Sequence, residues 1–206
     1  MNKDIFMKTE YRETRKSMSF LKANLVAVLY PVPLVILYVA IFVLATANRW
    51  PEQGDSVSFT VSAFEPFLWL LLYIVSFFGC IVLHEFFHAL FFLRGCDYGW
   101  KSIVFGVKSA TPYCHCKEVM PVSVYRQSLL APLWAVCIPL AAASMITGNV
   151  FLMLLTVSMI FGSGGDLAIY WMIRKYPGKT AYVWDMEDAV GCIIYERLPD
   201  PLESES

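Results

Sequence analysis

Ile81-Val82-Leu83-His84-Glu85-Phe86-Phe87-His88-Ala89-Leu90 places an H-E-x-x-H pattern inside an apolar run, Phe67 to Phe92, that is long enough to cross a bilayer. On a helix, residues four apart stand one above the other. The His84 and His88 imidazoles therefore share a face, and Glu85 borders the space beside them. On a soluble helix these residues would read as a polar stripe. Within an apolar span ionisable side chains are costly, and their presence marks a functional site.

Working outward, the rest of the chain fits that setting. Its 206 residues are 58% hydrophobic and 16% charged, with a mean hydropathy of +0.57, which is too little polar surface for an ordinary soluble domain. Four apolar stretches, Asn24 to Ala47, Phe67 to Phe92, Leu129 to Ile146 and Val150 to Ile173, approach or exceed the length needed to span. The basic residues alternate between the segments outside them: six before the first span, one (Arg49) in the first connection, five in the second, none in the third and four after the last. That alternation predicts both termini and the second connection to be cytoplasmic, in a multi-pass protein of the cell membrane. Ala45-Thr46-Ala47 has the look of a cleavage site, but the apolar run before it is too long for a signal peptide, so an uncleaved anchor is expected. The expected fold is an all-α membrane protein of four transmembrane helices with a small cytoplasmic β-hairpin, residues 1–206 forming one domain.

A catalytic zinc takes three protein ligands and keeps a fourth position open. The fourth span offers Asp166, its only ionisable residue, within Gly162-Ser163-Gly164-Gly165-Asp166-Leu167. Phe86, at the centre of the motif, lies eight residues before Arg94, and Asp166 lies eight before Arg174. The second and fourth spans run in the same direction, so both sites are expected about 12 Å inside their helix ends. Ser158 and Gly162 add a small-xxx-small spacing that favours a close crossing, which serves either plain packing or delivery of the carboxylate to the imidazoles. The chemistry that suits such a site is hydrolysis, with Zn2+ activating a water and a carbonyl and Glu85 accepting the proton.

In the second connection, Ile103, Phe105 and Val107 alternate with Ser102, Val104, Gly106 and Lys108 before a break at Ser109-Ala110-Thr111-Pro112 and the run Tyr113-Cys114-His115-Cys116. A short hairpin is predicted, which either offers an edge to an extended substrate or caps the bundle. Three potential ligands at consecutive positions do not suit a tetrahedral metal, so His115 is expected on the substrate side or behind the ligands. Trp184 to Asp188 reads as a solvated turn, with Asp185 a weak functional candidate, and Gly191 to Tyr195 as a short strand. The six cysteines are divided between spans and predicted cytoplasmic segments and imply no disulfide framework.

These residues resemble the site-2 protease type of intramembrane zinc metalloprotease, and more closely a small bacterial family of zincin peptidases known as a domain of unknown function. The resemblance rests on His84 to Leu90, Thr111 to Lys117, Tyr125 to Pro132 and Gly162 to Leu167, within about Phe67 to Tyr195. It implies His84, His88 and Asp166 as metal ligands and Glu85 as the catalytic acid and base. Site-2 proteases commonly carry Gly where this chain has Phe87; their Asn-Pro-containing Asp-Gly signature and a PDZ-like insert are absent. The expected activity is a zinc endopeptidase cutting a membrane protein or peptide near the cytoplasmic face of the lipid bilayer. The alternatives are a non-catalytic metal-binding or transport protein, in which Glu85 would have no role as a base, and a helical scaffold whose polar groups merely pair. Basic arms and stacking aromatics are lacking, which excludes nucleic acid. Three histidines are too few for a membrane di-iron hydroxylase.

Overall fold

Apolar side chains on every face of a helix leave it no soluble side, and the four long helices of this protein are built that way. The computed structural model describes residues 11–49, 65–108, 111–186 and 190–198. Among them, four helical stretches are long and apolar enough to cross a membrane: Lys22–Arg49, Glu65–Gly95, Val122–Thr147 and Val150–Ile173. Their outward faces keep large apolar side chains exposed, among them Ile36, Leu44, Val75, Val82, Trp134 and Ile146, as a lipid-facing surface requires.

Only the second stretch holds one uninterrupted α-helix. The first is α1 (Phe20–Leu29) and α2 (Val32–Thr46), divided where Pro31 removes a backbone donor. The second contains α3 (Glu65–Phe92). The third is α4 (Val122–Pro132) and α5 (Ile138–Thr147) joined by a π-helical turn at Leu133–Cys137, next to Pro132. It begins at Val122 rather than Leu129, because the polar residues ahead of Leu129 are absorbed by neighbouring elements. The fourth is α6 (Val150–Gly162) and α7 (Gly164–Ile173), broken at Ser163.

Gly148, with φ of 66°, ends α5, and the Asn149 side chain accepts the Leu152 amide at 3.2 Å to start α6, so two residues reverse the chain between the third and fourth spans. Arg49 donates to the Met145 and Ile146 carbonyls at 3.3 and 2.6 Å, placing a cation on the α5 C-terminus.

Outside the spans the fold departs from the sequence expectation. The predicted hairpin is present, β2 (Ile103–Lys108) pairing antiparallel with β3 (Thr111–Cys116), Ile103 opposite Cys116 and Lys108 opposite Thr111. A second, four-stranded antiparallel sheet stands beside it in the order β1 (Tyr11–Met18), β6 (Val190–Arg197), β5 (Ala181–Asp185), β4 (Met120–Pro121). The protein is therefore not all-α with one hairpin. The expected solvated turn at Trp184 to Asp188 is also overturned for its described part, since Trp184 and Asp185 close β5 and Met186 is buried; residues 187 and 188 lie outside the described residues. The strand expected at Gly191 to Tyr195 is the centre of β6.

The sheet draws its strands from before the first span, between the second and third, and after the fourth. Four crossings and one shared sheet bring those three segments to the same end of the helices. Val183, Ile194, Ala181 and Cys192 pack against Phe92, Met120, Val122 and Ile173, fusing the sheet to the ends of α3, α4 and α7. Arg126 completes the joint by donating to the Ile173 carbonyl at 2.9 Å and to that of Tyr176.

Candidate metal centre

His84 and His88 are both buried on α3, and their Nε2 atoms face one another at 3.1 Å. Asp166 Oδ2 lies 3.2 Å from His84 Nε2 and 3.3 Å from His88 Nε2. Donors about 2.0–2.1 Å from a tetrahedral zinc stand roughly 3.3 Å from one another, so these three atoms mark out one face of such a tetrahedron. The fit extends to what lies behind them. His88 Nδ1 donates to the Ser128 carbonyl at 2.8 Å, which turns the lone pair of Nε2 towards the shared point. Ser128 Oγ donates in return to the His88 carbonyl at 2.9 Å, so α4 grips α3 at this residue twice. Among the described residues, His84, His88 and Asp166 form the one group able to hold a metal ion.

Asp166 reaches the histidines through the break in the fourth span. Ser163 ends α6 and Gly164 opens α7, so Asp166 falls in the first turn of a new helix, where unsatisfied amides and the helix dipole favour a carboxylate. The close crossing lies elsewhere than the sequence suggested. A Cβ on Gly164 would fall 1.7 Å from the Ala27 carbonyl oxygen, so it is α1 that presses on α7, whereas Gly162 and Gly165 face open space. Ser158 does meet α3, through a 2.6 Å hydrogen bond with Tyr73.

Glu85 lies beside the two histidines, and the backbone of Cys114 comes close to its carboxylate. Strand β3 packs against α3 at the metal corner. The three donors and Glu85 open into a cleft of about 1050 Å³, walled on one side by α1 residues such as Ala23 and Ala27 and on another by the hairpin.

The same cleft is lined by a second polar group, of which the sequence foresaw only parts. His115 Nδ1 donates to Asp185 Oδ2 at 2.9 Å, and the Tyr125 hydroxyl donates to Asp185 Oδ1 at 2.9 Å. Tyr125 in turn packs on Phe92, ring centroids 5.7 Å apart, and Phe92 stacks on His88 at 6.4 Å. Asp185 is thus the residue that orients His115. Tyr125 and Ser128 entered the sequence reading only within the resembling stretch Tyr125 to Pro132, with no role of their own, although a one-turn spacing of polar residues just ahead of an apolar run was their signal. The Cys114 thiol is pushed up by burial and then by the carboxylates of Glu85 and Asp185. His115 lies on the opposite face of β3 from Cys114 and Cys116, so the three do not converge on a second metal.

No curated protein and no solved structure matches the chain. Residues 77–181, half of its length, match the family described as "Putative zincin peptidase", a description that points to a zinc metallopeptidase. The match takes in the H-E-x-x-H helix, the hairpin, α4 and Asp166, and the chain belongs to that family.

Proposed function

We propose that this protein is an intramembrane zinc metallopeptidase of the site-2 protease kind. It hydrolyses a peptide bond of a membrane protein or peptide close to the cytoplasmic face of the cell membrane. The observation that carries the reading is the triangle of His84, His88 and Asp166 donors at 3.1–3.3 Å, built on apolar helices and bordered by Glu85. The side on which substrate is cut follows from the alternation of basic residues, together with the sheet that gathers three of the flanking segments at one end of the bundle.

Bound zinc supplies an acidified water and a Lewis acid for the scissile carbonyl. Glu85 takes the proton of the attacking water and returns it to the leaving amine. A peptide must be extended to be cut, because the carbonyls of a helix are shielded. Each strand of the two-stranded β2–β3 sheet has one edge that the hairpin itself leaves unpaired, and a substrate strand added there enters the cleft beside Glu85. His115, oriented by Asp185 and Tyr125, faces the substrate from the wall opposite the ligands.

Glu85→Gln tests the reading. The amide keeps the shape of the carboxylate but cannot accept the proton, so metal content should stay at the wild-type level. Cleavage of a co-expressed transmembrane substrate should fall by about 10² to 10⁴. Equal cleavage with the metal retained would place the chain among non-catalytic metal-binding or transport proteins.

A further inference from the structure

The neck of the β2–β3 hairpin holds two thiols in contact. Cys96 follows the second span, Cys116 is the last residue of β3, and their Sγ atoms are 2.8 Å apart. The chain is pinned on both sides of the pair. Glu118 accepts the amides of Asp97 at 3.0 Å and Tyr98 at 3.1 Å and the Ser102 hydroxyl, while the Lys117 amide donates to the Ser102 carbonyl at 2.9 Å. The residues just after Cys96 and just after Cys116 are therefore tied together by four hydrogen bonds, and the approach of the sulfurs is set by the backbone.

The spacing discriminates between the uses of a thiol pair. Two thiolates on one zinc, each about 2.3 Å from the ion, stand roughly 3.8 Å apart, wider than this contact by about 1 Å. A covalent bond of about 2.05 Å needs an approach of only about 0.8 Å more. Cys116 is fully buried and Cys96 only partly, so a small oxidant reaches the pair from the Cys96 side.

We propose that Cys96 and Cys116 are a reversible oxidation site, closed to a disulfide by hydrogen peroxide acting as a two-electron oxidant and reopened by a small thiol. In the first step one thiolate attacks the peroxide, the O–O bond breaks, a sulfenic acid forms and water leaves. The partner sulfur then displaces the sulfenic oxygen as a second water, so two S–H bonds and one peroxide become one S–S bond and two waters. Reopening by exchange oxidises two external thiols to their own disulfide. The closed form ties the end of the H-E-x-x-H helix to the strand that carries His115 and meets Glu85. The site stands or falls independently of peptidase activity, because its readout is the state of the thiols.

The test uses the full chain in detergent, treated with dilute hydrogen peroxide, blocked with iodoacetamide and digested with trypsin. Cleavage after Arg94, Lys101, Lys108 and Lys117 separates Cys96 on peptide 95–101 from Cys114 and Cys116 on peptide 109–117. Cys114 shares a face of β3 with Cys116 and is the competing thiol. The expected result is a cross-link between the two peptides that disappears with reductant, is absent from Cys96→Ser and Cys116→Ser, and persists in Cys114→Ser. Peptides that emerge alkylated or over-oxidised instead of linked, or a link that survives Cys116→Ser, would overturn the assignment.

Discussion

The two walls of the cleft are both made of histidine and carboxylate, yet they are assembled on different scales. On the ligand wall, two of the three donors sit four residues apart on one helix, and only Asp166 comes from far away. On the facing wall, His115, Tyr125 and Asp185 come from three elements, β3, α4 and β5, with Asp185 70 residues beyond His115 and 60 beyond Tyr125. The ligand wall is held by α3 and α7 alone, the facing wall by one strand from each of the two sheets together with the start of α4. Under the proposed function, that division assigns metal holding and substrate handling to separate structural layers, joined where Cys114 comes close to Glu85 and where Ser128 meets His88.

Removing Asp166 cuts deepest into the comparison. Asp166→Ala leaves two nitrogens with no third donor, and a wild-type content of one zinc per chain should drop to a small fraction of that by elemental analysis. A wild-type protein without zinc, or a variant with unchanged content, would reduce the ligand wall to a polar knot and dissolve the contrast between the two walls.

The facing wall should respond in the opposite way. Asp185→Asn takes the carboxylate from His115 and from the Tyr125 hydroxyl but touches none of the three ligands. Zinc content should hold while cleavage falls by about tenfold to a hundredfold, the scale on which a misplaced substrate-orienting group acts. Loss of zinc in this variant would show that the two layers are one.

The sequence made the two walls unequally legible for a physical reason. An i, i+4 pair on a helix is local, so His84, Glu85 and His88 could be read from one turn, and Asp166 could be matched to them by depth because the same eight residues separate Phe86 from Arg94 and Asp166 from Arg174. The four-stranded sheet could not be read in this way. Its central strand β6 was expected at Gly191 to Tyr195, but it is buried on both faces, Cys192 and Ile194 on one and Ile193 and Tyr195 on the other, so it carries no alternation to say which strands flank it. Its partner β1, Tyr-Arg-Glu-Thr-Arg-Lys-Ser-Met, is so polar that it reads as a charged tail. With the sheet hidden, Asp185 looked like part of a turn. The break at Ser163 was hidden too, since a glycine-rich stretch signals close packing without saying which helix approaches, and the approaching helix is α1.

Ser128 lies at the seam between the layers and should give the smallest effect. Its side chain donates to the His88 carbonyl, while its own carbonyl accepts from His88 Nδ1. Ser128→Ala deletes the first bond and keeps the second. One buried hydrogen bond contributes about 0.5–1.5 kcal/mol, and full loss of a group behind a metal-bound histidine commonly costs about 10- to 100-fold in metal affinity. With the carbonyl still in place, competition against a chelator should show zinc affinity reduced by about tenfold or less, with cleavage at saturating zinc close to wild type. A hundredfold loss would mean that the carbonyl keeps its position only through the side chain. α4 would then belong to the ligand wall itself, and the boundary between the layers would move from Ser128 to Tyr125.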